Sequence, residues 1–193
     1  MLDNLEQLFK VRTIKGYYCH LKHIDIKDAY LIHDLRLKRP DFIERTSPNI
    51  EVQKLYLEQY FKSFQKNMQI YYKVYDLKEN TFIGVFRLTG LNNDLIFNWE
   101  SAVFKKKCTP NIFLDTMLMT YRIGFEFLKR KECGPWKVKK NNSRMMKLHS
   151  IMDMVKIIEE DDKYYFVSVK KEDYFFRIKK FKNFGFGRLG GLM

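Results

Sequence analysis

Hydrophobic positions along the chain change their spacing several times, and each change marks the boundary of an element. Alternation of apolar and polar residues predicts a strand, whereas apolar residues three and four apart predict an amphipathic helix. The spacing predicts a helix in the opening segment and then these elements: a strand over 16–24, helices over 25–38 and 50–66, strands over 68–76, 81–90 and 94–104, a helix over 109–129, a strand over 134–140, a helix within 139–154 and a hairpin over 155–171. The glycine-rich residues 185–193 are expected to fray.

Turn and cap residues support these bounds. Thr109 is a good N-cap for the helix over 109–129, and Pro110 suits the first helical position. Asp161 and Asp162 mark the turn of the late hairpin. A meander of three strands followed by a strand–helix–strand crossover predicts an α+β domain with a mixed, mainly antiparallel sheet flanked by helices.

Length and composition are typical of one folded domain. The chain has 193 residues, of which 46% are hydrophobic and 16% aromatic, enough apolar surface to bury a substantial core. No repeat or low-complexity linker divides the chain. We therefore expect an N-terminal extension over 1–15, one domain over 16–180 and a C-terminal tail over 181–193.

The net charge of +13 favours an anionic partner. Nucleic acid, acidic membranes and small polyanions such as nucleotides and coenzyme A are all attracted by such a surface. A lysine-rich composition without functional cause explains the charge equally well, and the lysines are spread along the chain instead of forming one basic arm.

Cysteine spacing excludes two kinds of stabilising site. Cys19, Cys108 and Cys133 are odd in number and far apart, which indicates neither a disulfide framework nor a zinc site. We expect no metal. The charged opening residues do not form a signal peptide, and no apolar run reaches the length of a membrane span. A cytoplasmic protein is expected.

Residues 142–154 carry the most specific motif. The stretch Asn142-Ser-Arg144-Met-Met-Lys-Leu148-His149-Ser-Ile-Met-Asp153-Met154 resembles, without a gap, the pattern Asn-x-Arg-Ala-Ile-x-Leu-Tyr-x-x-x-Gly-Phe of the GNAT superfamily of acyl-CoA-dependent N-acetyltransferases. The preceding "WKVKKN" and "YRIGFEFLKRKEC" are similar to the strand and the long helix that lead to this motif. The early "LKHIDIKDAYLIHDLR" resembles the branch with ribosomal-protein N-terminal and amino-sugar acetyltransferases. The resemblance covers about residues 16–170.

The resemblance implies acetyl-CoA as cofactor and names the residues around it. The implied cofactor-binding residues are Val103, Phe104, Lys106, Lys107, Cys108, Thr109, Asn111, Ile112, Asn142 and Arg144. The chain departs from the family at its phosphate loop, because residues 106–114 read "KKCTPNIFL" without a glycine. Either lysine charge compensates for the missing glycines or cofactor affinity is reduced. The family's late glycine is replaced by Asp153.

Two residues are candidates for proton transfer. Strict alternation over 94–104 places Glu100 on a mainly apolar face, where desolvation would raise its pKa; the resemblance implies that it is the base, and the alternative is a cross-strand salt bridge. His149 stands where relatives carry a tyrosine acid, so an imidazolium could protonate the departing thiolate. Its alternative is a hydrogen-bonded histidine that fills the place of the aromatic.

The other polar residues are candidates for binding or capping roles. Asn142 is a candidate for capping the following helix or binding the pantetheine arm, and Arg144 for binding coenzyme A phosphates. Arg36 and Arg39 are candidates for binding an acidic acceptor. Cys108 follows three lysines that would lower its pKa, but it is not expected to be a nucleophile.

These features favour an acetyl-CoA-dependent N-acetyltransferase acting directly on a primary amine. The acceptor favoured is a nucleotide-linked amino sugar used for bacterial surface glycans. Acetylation of a protein N-terminus, or a degenerate GNAT-fold interaction protein without cofactor, is the alternative. A basic nucleic-acid-binding module fits less well because no RNP-type motif, zinc finger or basic helix is present. Oligomeric state is left open.

Overall fold

The computed structural model describes residues 4–40, 46–66, 68–182 and 185–192. Within these ranges, eight strands form one sheet in the order β1-β2-β3-β4-β5-β6-β8-β7. The strands are β1 (Thr13–Lys15), β2 (Cys19–His23), β3 (Gln69–Asp76), β4 (Phe82–Thr89), β5 (Ile96–Phe104), β6 (Glu132–Lys139), β7 (Lys156–Glu160) and β8 (Tyr164–Lys170). Every pairing is antiparallel except that between β5 and β6.

Helices cover both faces of the sheet. They are α1 (Asn4–Lys10), α2 (Ala29–Leu37), α3 (Ile50–Gln65), α4 (Pro110–Tyr121), α5 (Ser143–Met152), α6 (Lys171–Arg177) and α7 (Lys179–Lys182). A single 3₁₀ turn over Ile26–Asp28 precedes α2, and α4 continues as a π-helix over Arg122–Phe127. The predicted α+β class with a mixed, mainly antiparallel sheet is therefore confirmed.

The protein has two hydrophobic cores, one on each side of the sheet, where helices pack against the strands. The larger core lies under α1, α4 and α5 and includes Phe97, Trp99 and Phe104 of β5. The smaller core lies under α2 and α3 and includes Tyr71 of β3 and Val103 of β5. Because both faces of the central strands are buried, the apolar residues of these strands are nearly continuous.

Three sequence predictions at the ends of the chain need correction. The strand predicted over 16–24 is shorter, since β2 covers only Cys19–His23, and residues 16–18 form the turn that joins it to β1. Strand β1 belongs to the sheet although it lies in the predicted extension 1–15. The described part of the predicted frayed tail, residues 185–192, packs against the domain: Phe186, Leu189 and Leu192 are buried.

Asp115 in α4 fixes both of these terminal segments. Its Oδ2 accepts hydrogen bonds from the backbone N–H groups of Tyr17, Tyr18 and Cys19 at 2.9, 2.7 and 3.2 Å. Its Oδ1 accepts a hydrogen bond from the Gly187 N–H at 2.7 Å. The hairpin turn and the C-terminal segment are therefore held by one buried carboxylate, which periodicity alone does not reveal.

Asp153 ends α5 in the left-handed conformation, with φ of 53°. Its backbone N–H donates to the carbonyl of His149 at 2.8 Å. Glycine is the usual residue at such a helix end, and aspartate is among the few others that tolerate it. Asp153 thus preserves the backbone shape that the family's glycine would give.

Candidate active site

The candidate site begins where strands β5 and β6 separate. Their parallel pairing is limited to Ile96 with Glu132 and Phe97 with Cys133, although both strands continue for several residues. A cleft of about 270 Å³ opens between the end of β5, the start of α4 and helix α5. Its lining is mainly apolar with a few cations: Arg39, Ala102, Phe104, Cys108, Pro110, Phe113, Asn142, Arg144, Met145, Lys147, Leu148 and Ile151.

The first turn of α4 forms one end of this cleft. Thr109 caps the helix, because its Oγ1 accepts a hydrogen bond from the Ile112 N–H at 3.3 Å. Pro110 occupies the first helical position, as predicted. Helix N-termini attract anions through their partial positive charge and their exposed N–H groups. Pro110 removes one of those donors.

Helix α5 forms the opposite wall. Asn142 caps α5 through a hydrogen bond from the Met145 N–H to its Oδ1 at 3.1 Å, and it lines the cleft. Arg144 donates from Nη2 to the carbonyl of Cys108 at 3.0 Å. The capping expectation for Asn142 is confirmed, and Arg144 connects α5 to the loop that precedes α4.

Arg39 lies in this cleft, next to the loop that precedes α4. It is 6% exposed, and its Nη1 donates a hydrogen bond to the carbonyl of Phe104. The sequence grouped Arg39 with Arg36 as acceptor-binding, but the end of α2 turns Arg39 toward β5. Arg36 instead lines the small pocket between α2 and α3.

A β-bulge in β5 overturns the strict alternation assumed for Glu100. Val85 pairs with Val103 and Arg87 pairs with Glu100, so one more residue is inserted in β5 than in β4. Ser101 at the bulge has φ of 52°. A bulge of this kind reverses which face the following residues occupy. Ala102 and Phe104 therefore face the larger core, and Glu100 faces α3.

Glu100 belongs to a polar network on that face. Arg87 donates from Nη2 to Oε2 of Glu100 at 2.6 Å and from Nη1 to the Tyr56 hydroxyl at 2.6 Å. The Thr89 hydroxyl donates to Oε1 of Glu100 at 3.2 Å. The Glu100 side chain is 42% exposed. The apolar surroundings predicted for Glu100 are therefore wrong, and the alternative of a cross-strand salt bridge is present, with an arginine as its partner.

His149 points into the larger core and does not line the cleft. It is 4% exposed, and its ring packs edge-on against Trp136 at 6.0 Å between centroids. Burial lowers the pKa of His149 to about 4. The imidazolium assumed from the sequence is thus not the form present at neutral pH.

Cys108 also differs from its expectation. Burial raises the pKa of the Cys108 thiol to about 12, while Arg144 and Arg39 oppose part of that rise. The three preceding lysines are not among the causes, and Lys106 and Lys107 point into solvent. The thiol is therefore protonated at neutral pH, in agreement with the expectation that it is not a nucleophile.

The fold places the other residues predicted to bind the cofactor in different surroundings. Phe104 lines the cleft, and Thr109 caps the helix beside it. The side chains of Val103 and Ile112 are buried in the two cores, and Asn111 is exposed on the first turn of α4. The side chains of these three residues do not line the cleft.

A second, smaller pocket of about 110 Å³ lies between α2 and α3. Its lining is mostly polar: His33, Arg36, Thr46, Ser47, Val52, Gln53 and Tyr56. Tyr56 also contacts Arg87, so this pocket adjoins the network that holds Glu100. A ligand in this pocket would approach Glu100 from the face opposite the larger core.

Sequence reasoning missed Arg87 and Tyr56. Arg87 is the only charged residue in β4, a strand that is otherwise apolar or small, and this was a usable signal. Tyr56 lies within the helix predicted over 50–66, where its ring also suits a core position. Nothing in the periodicity indicates that its hydroxyl is bonded to a guanidinium.

Comparison with solved structures gives the class of fold. FdhC, a nucleotide-linked sugar GNAT in its apo form, is 22% identical with a TM-score of 0.78, covering 90% of this chain and 98% of that chain. This protein has the GNAT fold, and the predicted resemblance is confirmed at the level of fold. A scan against protein-family models gave no match, and neither did a search of curated proteins.

Two further structures share the fold and contain ligands. Campylobacter jejuni N-acetyltransferase PseH in complex with acetyl coenzyme A is 20% identical with a TM-score of 0.57, covering 79% of this chain and 98% of that one. Vibrio cholerae spermidine N-acetyltransferase in complex with CoA and spermine is 16% identical with a TM-score of 0.64, covering 82% and 98%. In the described residues of the present chain, no helix is long and apolar enough to cross a bilayer.

Proposed function

We propose that this protein is an acetyl-CoA-dependent N-acetyltransferase that acts by direct transfer to a primary amine. The observation that supports this most is the cleft between the separated strands and α5. Its apolar walls suit a long, flexible arm, and two of its three cations, Arg39 and Arg144, lie at the loop before α4, where an anionic group is favoured. When bound, acetyl-CoA would supply an activated acetyl thioester.

The residues around the cleft fit this cofactor. Met145, Leu148 and Ile151 give the arm an apolar wall along α5, while Asn142 adds a polar group at the start of that helix. Arg39 and Arg144 supply positive charge at the loop before α4. Positioning of two reactants is a large part of catalysis in such a transfer.

Glu100 is the proposed base. Its carboxylate is fixed by Arg87 and Thr89, remains partly open to solvent and is connected through Arg87 to Tyr56, which lines the pocket between α2 and α3. A carboxylate in this position accepts the proton of the acceptor ammonium through water. His149 has no part in this proposal as an acid, because it is neutral and buried.

The proposed acceptor is a nucleotide-linked amino sugar of the kind used in surface glycans. Arg36 and His33 in the α2–α3 pocket suit the phosphates of such a molecule. The net charge of +13 disfavours a polycation such as a polyamine and favours a polyanion. FdhC, which has the same fold, is a nucleotide-linked sugar GNAT.

Cofactor binding is the first test. Thermal unfolding with increasing acetyl-CoA should show a rising midpoint, since a ligand that binds only the folded state stabilises it. Ile151→Glu puts a charge in the apolar wall and should abolish the rise, while Ser150→Glu, the neighbouring exposed position on α5, should keep it. Absence of stabilisation at millimolar acetyl-CoA would indicate a GNAT-fold protein without cofactor.

The acceptor is tested by release of the coenzyme A thiol. Nucleotide-linked amino sugars, peptides with free N-termini and spermine should be compared at equal concentration. Turnover with the nucleotide-linked sugar alone supports the proposal. Turnover with the peptides instead would identify a protein N-terminal acetyltransferase, and preference for spermine would contradict the charge argument.

A further inference from the structure

We propose that Tyr56 is a positioning residue for the proposed base: its hydroxyl accepts a hydrogen bond from Arg87, and Arg87 in turn binds the Glu100 carboxylate. This inference rests on the proposed function, in which Glu100 is the base, and it names a further residue of the same site. The series of bonds begins at the wall of the α2–α3 pocket and ends on strand β5.

The guanidinium of Arg87 is held at two points. Its Nη1 donates to the Tyr56 hydroxyl at 2.6 Å, and its Nη2 donates to Oε2 of Glu100 at 2.6 Å. Its third nitrogen, Nε, is buried and has no partner among the described residues. The guanidinium carbon also lies 5.8 Å from the centre of the Tyr56 ring. One planar group therefore connects the phenol oxygen to the carboxylate in a fixed geometry.

The Glu100 carboxylate depends on this support. Its side chain is 42% exposed, whereas that of Arg87 is 17% exposed. The other bond to the carboxylate comes from the neutral Thr89 hydroxyl at 3.2 Å. A bond between two charged groups is stronger than one from a neutral hydroxyl. The orientation of the proposed base is therefore set mainly by the position of the Arg87 guanidinium.

Arg87 depends in the same way on Tyr56. An arginine side chain has several rotatable bonds, so a guanidinium with a single contact keeps much of its freedom. The Tyr56 ring packs against the smaller core, which fixes its hydroxyl relative to the sheet. Removal of that hydroxyl leaves Nη1 without its acceptor, and the ion pair of Arg87 and Glu100 is then free to move as a unit.

Tyr56 also belongs to the pocket proposed for the acceptor. It is the one described residue that both lines the α2–α3 pocket and bonds to the network around Glu100. Gln53, on the same helix, lines this pocket too; it is 7% exposed, and its Nε2 has no partner among the described residues. A buried donor without a partner suits a polar ligand. The residue that orients the base is thus part of the wall beside which the acceptor would lie.

Tyr56→Phe tests the inference because it keeps the ring and removes only the hydroxyl. Turnover at saturating acetyl-CoA and saturating acceptor should fall about tenfold, since a displacement of about 1 Å can cost up to about 10²-fold in rate. The Michaelis constant for acetyl-CoA should stay unchanged. Tyr75→Phe is the matched control: this partly buried tyrosine packs against the same core, and its hydroxyl has no hydrogen bond among the described residues. Its turnover should stay within about twofold of wild type.

A double variant separates positioning from a purely structural role. In a Glu100→Gln background, Tyr56→Phe should cost no further turnover, because the hydroxyl acts only through the carboxylate. Residues in one network give non-additive effects, whereas independent residues multiply their losses. The same tenfold loss from Tyr56→Phe in both backgrounds would overturn the inference.

The remaining outcomes identify which proposal fails. A wild-type protein without turnover on any amine overturns the proposed function and this inference with it. Wild-type turnover in Glu100→Gln overturns the role of the base, and hence the inference, but leaves acetyl transfer standing. Normal turnover in Tyr56→Phe beside an impaired Glu100→Gln overturns the inference alone. Should Tyr56→Phe fail to fold, Arg87→Lys keeps the charge but not the fork, and turnover equal to wild type would overturn the inference.

Discussion

The Arg87 guanidinium and the Glu100 carboxylate form an ion pair of 2.6 Å across strands β4 and β5. The two residues are directly opposite in the register, and the bulge at Ser101 separates Glu100 from Ala102 and Phe104, which face the larger core. The ion pair fixes the one carboxylate proposed to act in catalysis, and it does so beside the pocket between α2 and α3.

Replacing Glu100 with glutamine should lower turnover by about 10²-fold or more, because general base catalysis contributes roughly that much. The amide still fits beside Arg87, so the Michaelis constants should change little. Steady-state kinetics with both substrates measure the difference. Glu159→Gln, on the exposed strand β7, serves as the control; equal losses in turnover and binding for Glu100→Gln would contradict the role of a base.

Acid should destabilise the protein through His149. Its pKa is 6.5 when unfolded and about 4 when folded, so between these values the unfolded chain binds a proton that the folded chain excludes. The stabilisation is complete above pH 6.5 and is lost as pH falls toward 4, with a slope of about 1.4 kcal/mol per pH unit. Urea unfolding at several pH values measures this slope.

His149→Phe removes this titration and keeps an aromatic ring against Trp136. Its free energy of unfolding should depend less steeply on pH between 4.5 and 6 by about one proton. His23, whose pKa burial also lowers to about 4, should still contribute in that variant. An unchanged slope in His149→Phe would show that His149 is already protonated in the folded protein.

Removal of the Asp115 carboxylate should be among the most destabilising single changes. Asp115→Ala leaves four backbone N–H groups without their acceptor, and each bond to a charged group contributes about 1.5–3 kcal/mol. We expect a loss of at least about 3 kcal/mol in urea unfolding. Asp94→Ala, which removes a solvent-exposed carboxylate, should cost less than about 1 kcal/mol.

All three thiols should be unreactive in the folded protein. Burial raises the pKa of Cys19, Cys108 and Cys133, and only a thiolate reacts readily with alkylating reagents. Iodoacetamide at pH 7.5 should label none of them without denaturant and all three in urea. Rapid labelling of native Cys108, detected by mass spectrometry of peptides, would show that the loop before α4 opens.

Two substitutions of Asp153 test the left-handed conformation at the end of α5. Asp153→Gly and Asp153→Ala both lose the ion pair with Arg177 at 3.0 Å, but only glycine adopts positive φ without cost. The glycine variant should be about 1 kcal/mol more stable than the alanine variant in thermal or urea unfolding. Equal stabilities would mean that α5 ends differently in the variants.

Periodicity predicted the fold because most elements have a uniform spacing. The helix over 109–129 and the hairpin over 155–171 were found nearly at their observed bounds, since their apolar stripes and turn residues agree. The bulge at Ser101 was missed because serine in a strand gives no sign of positive φ. One inserted residue then reversed the faces of Ala102 and Phe104, and with them the expected surroundings of Glu100.

The site residues were harder to predict than the fold. The motif over 142–154 named Asn142 and Arg144, and both residues line the cleft. It also named His149, but helical spacing alone cannot show which of two adjacent faces meets the core. Arg39 was assigned to the acceptor because it follows Arg36 on α2, although the chain turns at the end of the helix and directs it to Phe104.

The bond from Arg39 to the end of β5 has a thermodynamic consequence. Arg39 follows the helix whose side chains His33 and Arg36 line the pocket on the other face of the sheet. A ligand that fixes Arg39 in the cleft therefore also fixes the end of α2. Occupancy of one pocket should change the affinity of the other by a coupling free energy, and linkage requires that change to be the same in both directions.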